Sequence, residues 1–258
     1  MFDERSIPPE VEGVRERYAP DALVLDSERD FETLPSRALD DLAGRTDAVT
    51  PHAYEESWLP ADAPELLQRL TSSDLVVGMP GDGSVAWTTQ FDPPVVIVKP
   101  RVEGTPESFV NFLVAEALVE AGLDLPEHFL GFFAERYPDF AAATSTGPNA
   151  TYQLAHACCD AYRGLHTREE FETWADDFPT LHDAWEDAGE RLQPRITDLP
   201  GEVATRETEF ADAAELACSG VKHGLDLPTP FEALDSVAFR QYGAEYAVKW
   251  AEKVFDET

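Results

Sequence analysis

The sequence predicts a mainly α-helical fold with a small antiparallel β-hairpin or meander, an α+β class in which a helical stack surrounds one buried central helix. Three observations predict it. Short apolar runs bounded by turn residues lie between 75 and 99. The segment 106–121 is apolar on almost every side. In the C-terminal half, apolar residues recur at helical spacing between prolines.

Residues 1–60 form the least regular part of the prediction. Pro8 and Pro9 begin a short helix that ends near Arg17, and Pro35 introduces another that ends near Ala43. The apolar run at 22–25 fits either a strand or a buried turn of helix. Periodicity does not separate the two over so short a run, so both alternatives stay open.

The β-meander is predicted from three apolar runs, at 75–79, 85–91 and 95–99. The segment 80–84 is rich in glycine and joins the first two runs as a hairpin turn. A sheet of this size buries one face only when helices cover it. The helix that follows is therefore expected to pack on the sheet.

The central helix is predicted over 106–121 and is expected to be buried, because apolar residues surround its axis. Gly122 is predicted to end it in a left-handed conformation. Similar endings at Gly164 and Gly224 predict further helix–turn–helix corners. The flanking helices share no period, so the likeness reflects turn chemistry and not a sequence repeat.

The remainder is predicted as a helical stack. Its helices are expected at 126–137, 149–165, 168–177, 180–192, 202–223 and 236–255, with prolines between them. No low-complexity linker interrupts the chain. The sequence therefore predicts a single domain over 1–258, made of an N-terminal segment (1–60), a meander with the central helix (75–123) and the stack (126–258).

The charge of the chain is acidic throughout. The sequence has 51 Asp and Glu against 19 Lys and Arg, a net charge of −32. Acidic residues are spread evenly along the chain, which indicates a solvated acidic surface and not a detachable tail. Such a surface requires counter-ions, and molar salt relieves its self-repulsion. With no basic patch to neutralise phosphates, nucleic acid is excluded as a partner.

The N-terminus and the cysteines predict a cytoplasmic location. Residues 1–5 are acidic and no apolar core follows them, so we expect no signal peptide. No apolar run reaches the ~20 residues of a membrane span, so we expect no membrane partner. Three cysteines, of which Cys158 and Cys159 are adjacent, do not make a disulfide framework and fit reduced thiols.

One helix face carries the candidate site. At ~100° per residue, five side chains of the helix at 149–166 fall within an arc of about 120°. These are His156, Cys159, Asp160, Arg163 and His166. They could bind zinc, or a Cys–His pair could act as a nucleophile. The alternative is a hydrogen-bonded helix interface, because the chain has no Cys-x-x-Cys or paired-histidine motif. Cys158 lies on the opposite, core face.

Glu116 is a weaker candidate on the central helix. A strand followed by a helix with a central glutamate is the layout of zinc peptidases with a His-Glu-x-x-His helix. Here the two histidine positions are Ala115 and Val119, which excludes an active metallopeptidase because two metal ligands are missing. We expect Glu116 to be exposed or paired with Lys99 or Arg101.

The glycine-rich segment 78–83 invites comparison with a phosphate-binding loop. Such a loop leads into a helix and usually contains a lysine. This one leads into a predicted strand, contains Asp82 and has no basic neighbour in sequence. It is predicted to be a hairpin turn. The chain also lacks a P-loop, a dinucleotide fingerprint and a nucleophile elbow, so no cofactor is predicted.

As a whole the chain resembles an uncharacterised, domain-of-unknown-function family of haloarchaeal proteins. The segments that prompt the comparison are Val77-Gly-Met-Pro-Gly-Asp-Gly83, Val98-Lys-Pro-Arg101, Leu125-Pro-Glu-His-Phe-Leu-Gly-Phe-Phe133 and Trp250-Ala-Glu-Lys253. A high acidic density with only four lysines is also similar to proteins of salt-loving archaea. The resemblance implies a cytoplasm and a salt-adapted surface. It assigns no catalytic residue.

Two functional hypotheses follow. The first is a salt-adapted intracellular protein, not an enzyme, that acts by binding another protein or a second copy of itself. It depends on many helices without a recognisable reactive cluster. The second is a hydrolase-type or metal-binding enzyme with a polar site between His156 and His166.

Overall fold

The computed structural model of the protein describes residues 1–72 and 74–256. Its α-helices are α1 (Pro9–Tyr18), α2 (Ser36–Ala43), α3 (Glu65–Leu70), α4 (Glu107–Gly122), α5 (Phe129–Phe133), α6 (Tyr137–Thr144), α7 (Pro148–Glu172), α8 (Trp174–Asp177), α9 (Pro179–Thr205), α10 (Phe210–Ser219) and α11 (Val237–Asp256). Its strands are β1 (Phe2–Glu4), β2 (Leu23–Ser27), β3 (Ala48–Val49), β4 (Val85–Thr88), β5 (Phe91–Asp92) and β6 (Val95–Val98). The predicted class, mainly α with a small sheet, is confirmed.

The described residues cluster into two compact units. The first contains Met1–Ala53, Ser72–Glu127 and Phe171–Trp185, and the second contains Tyr54–Thr71, His128–Glu170 and Glu186–Thr258. Each has its own buried aliphatic and aromatic side chains. The single-domain organisation stays a prediction.

The first unit is built on a four-stranded sheet in the order β1-β2-β6-β4. β4 and β6 pair antiparallel, as the meander predicted, but β2 and β6 pair in parallel, with Leu23 opposite Val95. The run at 22–25 is thus resolved as part of a strand. The N-terminal segment, predicted to be the least regular, supplies both β1 and β2. Val24 and Leu25 of β2 are buried on the two faces of this sheet.

The predicted strand at 75–79 is wrong. This segment is a buried loop, in which Val76 and Val77 are almost completely covered. Gly78 has a φ of 78°, which interrupts an extended backbone. The carbonyl of Val77 accepts the N–H of Leu34 from another loop. The apolar sequence of this segment is therefore explained by the burial of the loop itself and not by pairing in the sheet.

The central helix is confirmed as α4. Its buried side chains occupy every side of the axis and include Phe112, Val114, Leu118 and Val119. One side packs against α1 and another against the sheet. A helix that is covered in this way needs no polar face, which explains the continuous apolar sequence.

The predicted corner at Gly164 is wrong, whereas at Gly122 the helix ends as predicted and only the left-handed conformation is wrong. Of Gly122, Gly164 and Gly224, only Gly224 has a positive φ, at 62°. Gly122 is the last residue of α4, and Gly164 lies inside α7. Both are explained by close approach. A Cβ on Gly122 would overlap the backbone carbonyl of Tyr18, and one on Gly164 would lie 2.9 Å from the backbone nitrogen of Lys222.

Helix boundaries in the stack also differ from the prediction. The segments 149–165 and 168–177 were predicted as two helices, yet α7 continues to Glu172. Pro194 and Pro200 were predicted to lie between helices, but α9 runs through both. Each proline is exposed, so water can hydrate the carbonyl groups that lose an N–H donor.

The second unit is held by aromatic packing around α5. Phe132 stacks edge-on against Phe133, with ring centroids 4.7 Å apart, and Phe133 packs against Phe140 of α6 at 4.6 Å. Phe239 of α11 completes the group at 6.2 Å from Phe132. None of the described helices combines the length and the hydropathy needed to cross a membrane.

Candidate functional site

Three of the predicted site residues meet on α7, in the second unit. The Nδ1 atom of His156 lies 3.3 Å from Oδ2 of Asp160, one helical turn away. The guanidinium group of Arg163 donates to the other carboxylate oxygen of Asp160. Both pairs have the spacing at which side chains of a helix are neighbours. His156 is 8% exposed, so the histidine of this pair is largely screened from water.

The two basic groups decide the charge of Asp160. Burial alone would raise the pKa of its carboxyl group. The positive charges of Arg163 and protonated His156, with their hydrogen bonds, outweigh that effect and hold the pKa well below its usual range. Asp160 is therefore ionised near neutral pH.

Cys159 does not share this environment. It is 1% exposed, as is Cys158, although the helical wheel placed Cys159 on the polar face. Cys218 of α10 is also buried, and it lies close enough to Cys158 and Asp160 for them to affect the pKa of its thiol. Burial raises the pKa of the Cys158 and Cys218 thiols. Both are therefore neutral thiols, which are poor nucleophiles.

His166 has a separate environment. Its ring packs on Tyr162, with centroids 4.6 Å apart, beside the ion pair of Arg240 and Glu169. Burial lowers the pKa of His166 and Arg240 lowers it further, while Glu169 opposes them. Its Nε2 atom has no hydrogen-bond partner within the part of the chain that the structure describes.

Glu116 lies in the first unit, where it is 8% exposed on α4. The two basic residues expected to pair with it contact other groups. Arg101 donates to the carboxylates of Asp30 and Glu32. The Nζ atom of Lys99 lies 4.8 Å from the centre of the Phe31 ring and has no hydrogen-bond partner among the described residues.

Two carboxylates of α10 were missed by sequence reasoning. Gln153 of α7 donates to Asp212 at 3.1 Å, and it also hydrogen-bonds the side chain of Glu215. Glu215 senses the charges of His156 and Asp160. The sequence contains one indication of this pair. Asp212 and Glu215 are three residues apart in a helix whose other residues are mostly small and buried, so their carboxylates are neighbours on its surface.

We call these six side chains the polar cluster: Gln153, His156, Asp160, Arg163, Asp212 and Glu215. Burial raises the pKa of Glu215, and the nearby charges of Asp212 and Asp160 raise it further, while His156 and the hydrogen bond from Gln153 oppose them. The cluster thus holds two neighbouring carboxyl groups whose pKa values are displaced in opposite directions.

A groove of about 500 Å³ opens beside the polar cluster. We call it the acidic groove, and it is lined by Arg195, Leu199, Glu202, Glu207, Thr208, Asp212, Glu215, Leu216 and Ser219. Four carboxylates face one guanidinium group, so the lining has a net charge of −3 when all are ionised. All of these residues belong to the second unit. Their charge makes the groove a candidate site for a cation.

The first unit contains a second polar centre that sequence reasoning missed. The side chain of Glu127 is 5% exposed. Its carboxylate accepts hydrogen bonds from Nε2 of His52, the hydroxyl of Thr88 and the backbone N–H of Thr89, each at 3.0 Å. Gln90 donates to its other oxygen at 2.9 Å. These bonds tie the connection between β4 and β5 to Glu127, which explains the buried carboxylate as a structural element.

A family model described as a family of unknown function (DUF7089) matches residues 1–258. The chain therefore belongs to this family. No curated protein matches it. Nor does any solved structure.

Proposed function

We propose that this member of a family of unknown function is a binding protein, and that its acidic groove accepts a lysine- or arginine-bearing segment of a partner protein. One observation carries the proposal. Glu215 is a half-buried carboxylate on the wall of the groove. The basic group that most lowers its pKa is His156, which also lowers the pKa of Asp160. Nearby positive charge therefore balances the negative charge of Glu215 less completely than that of Asp160.

A bound cation would supply that compensation. An ammonium or guanidinium group placed between Glu215 and Asp212 would relieve their mutual repulsion and stabilise the ionised form of both. The lining also contains Leu199 and Leu216, which can cover the aliphatic stem of a lysine or arginine. Charge and apolar surface together fit a long basic side chain better than a metal ion.

The composition of the whole chain fits a salt-rich cytoplasm. We infer salt adaptation and a haloarchaeal origin from the −32 charge and from the presence of only four lysines among 19 basic residues. In molar salt the Debye length falls to ~3 Å, so only groups in direct contact attract each other strongly. A partner would be recognised by contact within the groove and not by the general negative field. Buried thiols support a reducing compartment.

The test is binding of a fluorescein-labelled tetralysine peptide, measured by anisotropy over a series of KCl concentrations at which circular dichroism shows a folded protein. Glu215→Gln removes one charge from the groove and should weaken binding about tenfold, or ~1.4 kcal/mol. Glu190→Gln is the matched control, because Glu190 is exposed on α9 outside the groove and the substitution changes the net charge equally. Arg195→Gln removes the basic group of the lining and should strengthen binding.

Equal weakening in Glu215→Gln and Glu190→Gln would show that the peptide senses only the overall charge, and would overturn the proposal. The same conclusion would follow if Arg195→Gln bound the peptide more weakly than the unmodified protein. A triglutamate peptide serves as the negative probe.

An enzyme is the second candidate, favoured by the opposite pKa displacements of Asp160 and Glu215. Neighbouring carboxyl groups of this kind can act as a base and an acid in hydrolysis. Metal analysis and hydrolysis of p-nitrophenyl esters test this candidate on protein purified in molar KCl. Stoichiometric zinc that is lost in His156→Ala, or ester hydrolysis lost in both Asp160→Asn and Glu215→Gln, would favour the enzyme. Protein with neither property would exclude a zinc enzyme dependent on His156 and an esterase at this site.

A further inference from the structure

The first unit holds a buried lysine at the carboxyl end of its parallel strands. β2 and β6 pair in parallel and end at Ser27 and Val98. The next residue, Lys99, keeps an extended backbone, so its side chain continues the face of β6 that carries Ile97. The carboxyl ends of parallel strands form the edge at which open α/β sheets bind their ligands. Lys99 therefore lies where such a sheet places a ligand site.

The amine of Lys99 is a buried polar group that no hydrogen bond satisfies among the described residues. The side chain is 0% exposed, and its Nζ atom lies over the ring of Phe31, 4.8 Å from the centre. Burial of an amine without a hydrogen bond costs free energy, and an apolar side chain of similar length would avoid that cost. An orphaned group of this kind points to a ligand or a reaction.

The surroundings of Lys99 favour its neutral form. Burial lowers the pKa of the amine, and the positive charge of Arg101 lowers it further. The negative charges of Asp82, Glu32 and Asp30 oppose both effects, but the pKa remains below its ordinary value. At a given pH, a larger fraction of Lys99 than of an exposed lysine is therefore the free, nucleophilic amine. Desolvation beside a second cation is one means by which proteins activate lysine toward carbonyl groups.

The glycine-rich segment 78–83, which has no basic neighbour in sequence, lies beside this amine in the structure. Its acidic residue, Asp82, is the charged group with the largest effect on the pKa of Lys99. The turn closes on itself, because the N–H of Asp82 donates to the carbonyl of Met79 and the carboxylate of Asp82 accepts the N–H of Met79. Its outer residues Gly81 and Gly83 are exposed. One partly exposed turn therefore lies between Lys99 and the solvent on this side.

We propose that Lys99 is a covalent binding site for small uncharged aldehydes, which its amine captures as an imine when the turn at 79–82 moves aside. The nitrogen lone pair attacks the carbonyl carbon, and the carbon–oxygen double bond opens to a hydroxyl group. The carbon–oxygen bond then breaks, the oxygen leaves as water with the two amine hydrogens, and a carbon–nitrogen double bond forms. The step needs no oxidant or reductant, and water reverses it.

Charge and cover select the ligand. The carboxylates of Asp30, Glu32 and Asp82 surround the amine together with one guanidinium group, that of Arg101. With the amine neutral, these groups carry a net charge of −2, which repels a keto acid and accepts an uncharged aldehyde. The ring of Phe31 gives the carbon chain of the aldehyde an apolar surface. Because the amine is covered, the ligand has to be small.

Reductive trapping on the full chain, in molar KCl at neutral pH, tests the proposal. Propionaldehyde and sodium cyanoborohydride convert each imine into a stable propylamine, and peptide mass spectrometry measures it at every lysine. Lys253 is the internal control, because it is exposed on α11. Lys99 should be propylated about tenfold faster than Lys253, as expected for a tenfold larger neutral fraction. In urea, where the chain is unfolded, the two rates should be equal.

Two further comparisons test the role of charge. Asp82→Asn removes the negative charge that most favours the ammonium form, and should raise the rate at Lys99 further. Asp198→Asn is the matched control, since Asp198 is exposed on α9, and should leave that rate unchanged. Glyoxylate, whose carbonyl group is joined to a carboxylate, should show no preference for Lys99 over Lys253.

Folded protein that is propylated at Lys99 no faster than at Lys253 would overturn the proposal, because the amine would then be closed to aldehydes. An equal preference for Lys99 with glyoxylate would overturn the selection of uncharged ligands. Lys99 lies in the first unit and the acidic groove in the second, so the trapping and peptide-binding experiments can fail separately.

Discussion

The Nδ1 atom of His156 lies 3.3 Å from Oδ2 of Asp160, and Arg163 donates to the other oxygen of the same carboxylate. One carboxyl group of the polar cluster therefore has two basic partners on its own helix. The pKa of Glu215, on α10, is lowered by His156 and by a hydrogen bond with Gln153 but raised by the neighbouring Asp212 and Asp160. This unequal charge balance is the basis of the proposal that the acidic groove binds a cation.

The paired carboxylate predicts a specific pH dependence. Because the pKa of Asp160 is lowered from 3.8 in the folded protein, its ionised form stabilises the fold above that value. The contribution is lost as the pH falls through the folded-state pKa. Asp160→Asn should lower the free energy of unfolding by about 1 kcal/mol at neutral pH, a figure reduced for its partial exposure. The difference should shrink in acid.

Urea unfolding in molar KCl, followed by circular dichroism between neutral and acid pH, measures this effect. Asp198→Asn is the control, since Asp198 is exposed on α9. If the two variants lose the same stability at every pH, the ion pairs of Asp160 do not stabilise the protein.

The contact between α1 and α4 predicts a sharp difference between two glycines. Gly122→Ala would drive a methyl group into the backbone of Tyr18, which cannot move aside as a flexible side chain could. We expect a loss of about 1–3 kcal/mol in the free energy of unfolding. Gly201→Ala in α9 meets nothing within 4 Å and should stabilise the protein by about 0.4–1 kcal/mol.

Thermal unfolding of both variants in the same salt gives the comparison. An unchanged melting temperature in Gly122→Ala would mean that α1 and α4 are further apart than the structure shows.

Substitution of the buried Lys99 is expected to stabilise the protein. Burial lowers the pKa of its amine, and the positive charge of Arg101 lowers it further. The negative charge of Asp82 opposes both effects. In the pH range between the folded-state pKa and the ordinary 10.5, the unfolded chain binds more protons, so stability rises with pH. Lys99→Met has a similar volume and no charge, and should stabilise the protein by about 1–2 kcal/mol at neutral pH.

The matched control is Lys253→Met, at an exposed position of α11, with an expected change within about 0.5 kcal/mol. Denaturation of both variants over the alkaline range should show that the rise with pH disappears only in Lys99→Met. A destabilised Lys99→Met would instead show that the contact with Phe31 outweighs the cost of burying the amine.

The fold class and the buried helix could be predicted because they depend on local patterns. The continuous apolar sequence of α4 is typical of a helix that is covered on all sides. The parallel pairing of β2 with β6 could not be predicted, because it joins Leu23 to Val95 across many residues and leaves no local signal. The same holds for Gly122, since its need for a small side chain comes from Tyr18 in another helix.

The site was predictable to the same extent. Helical spacing correctly brought His156, Asp160 and Arg163 together, because all three lie on one helix. It placed Cys159 on the polar face as well, whereas this side chain is 1% exposed. Glu215 was missed because it comes from a second helix, α10. Contacts within a helix can be predicted from spacing, whereas contacts between helices cannot.

The most direct measurement is the pKa of the Glu215 carboxyl group, followed by carbon-13 NMR in molar KCl with and without tetralysine. In the free protein it should lie above the ordinary value of 4.5. On peptide binding it should fall, because ammonium groups bound in the groove would favour the ionised carboxylate. A Glu215 pKa that does not change when the peptide binds would contradict cation recognition at this site.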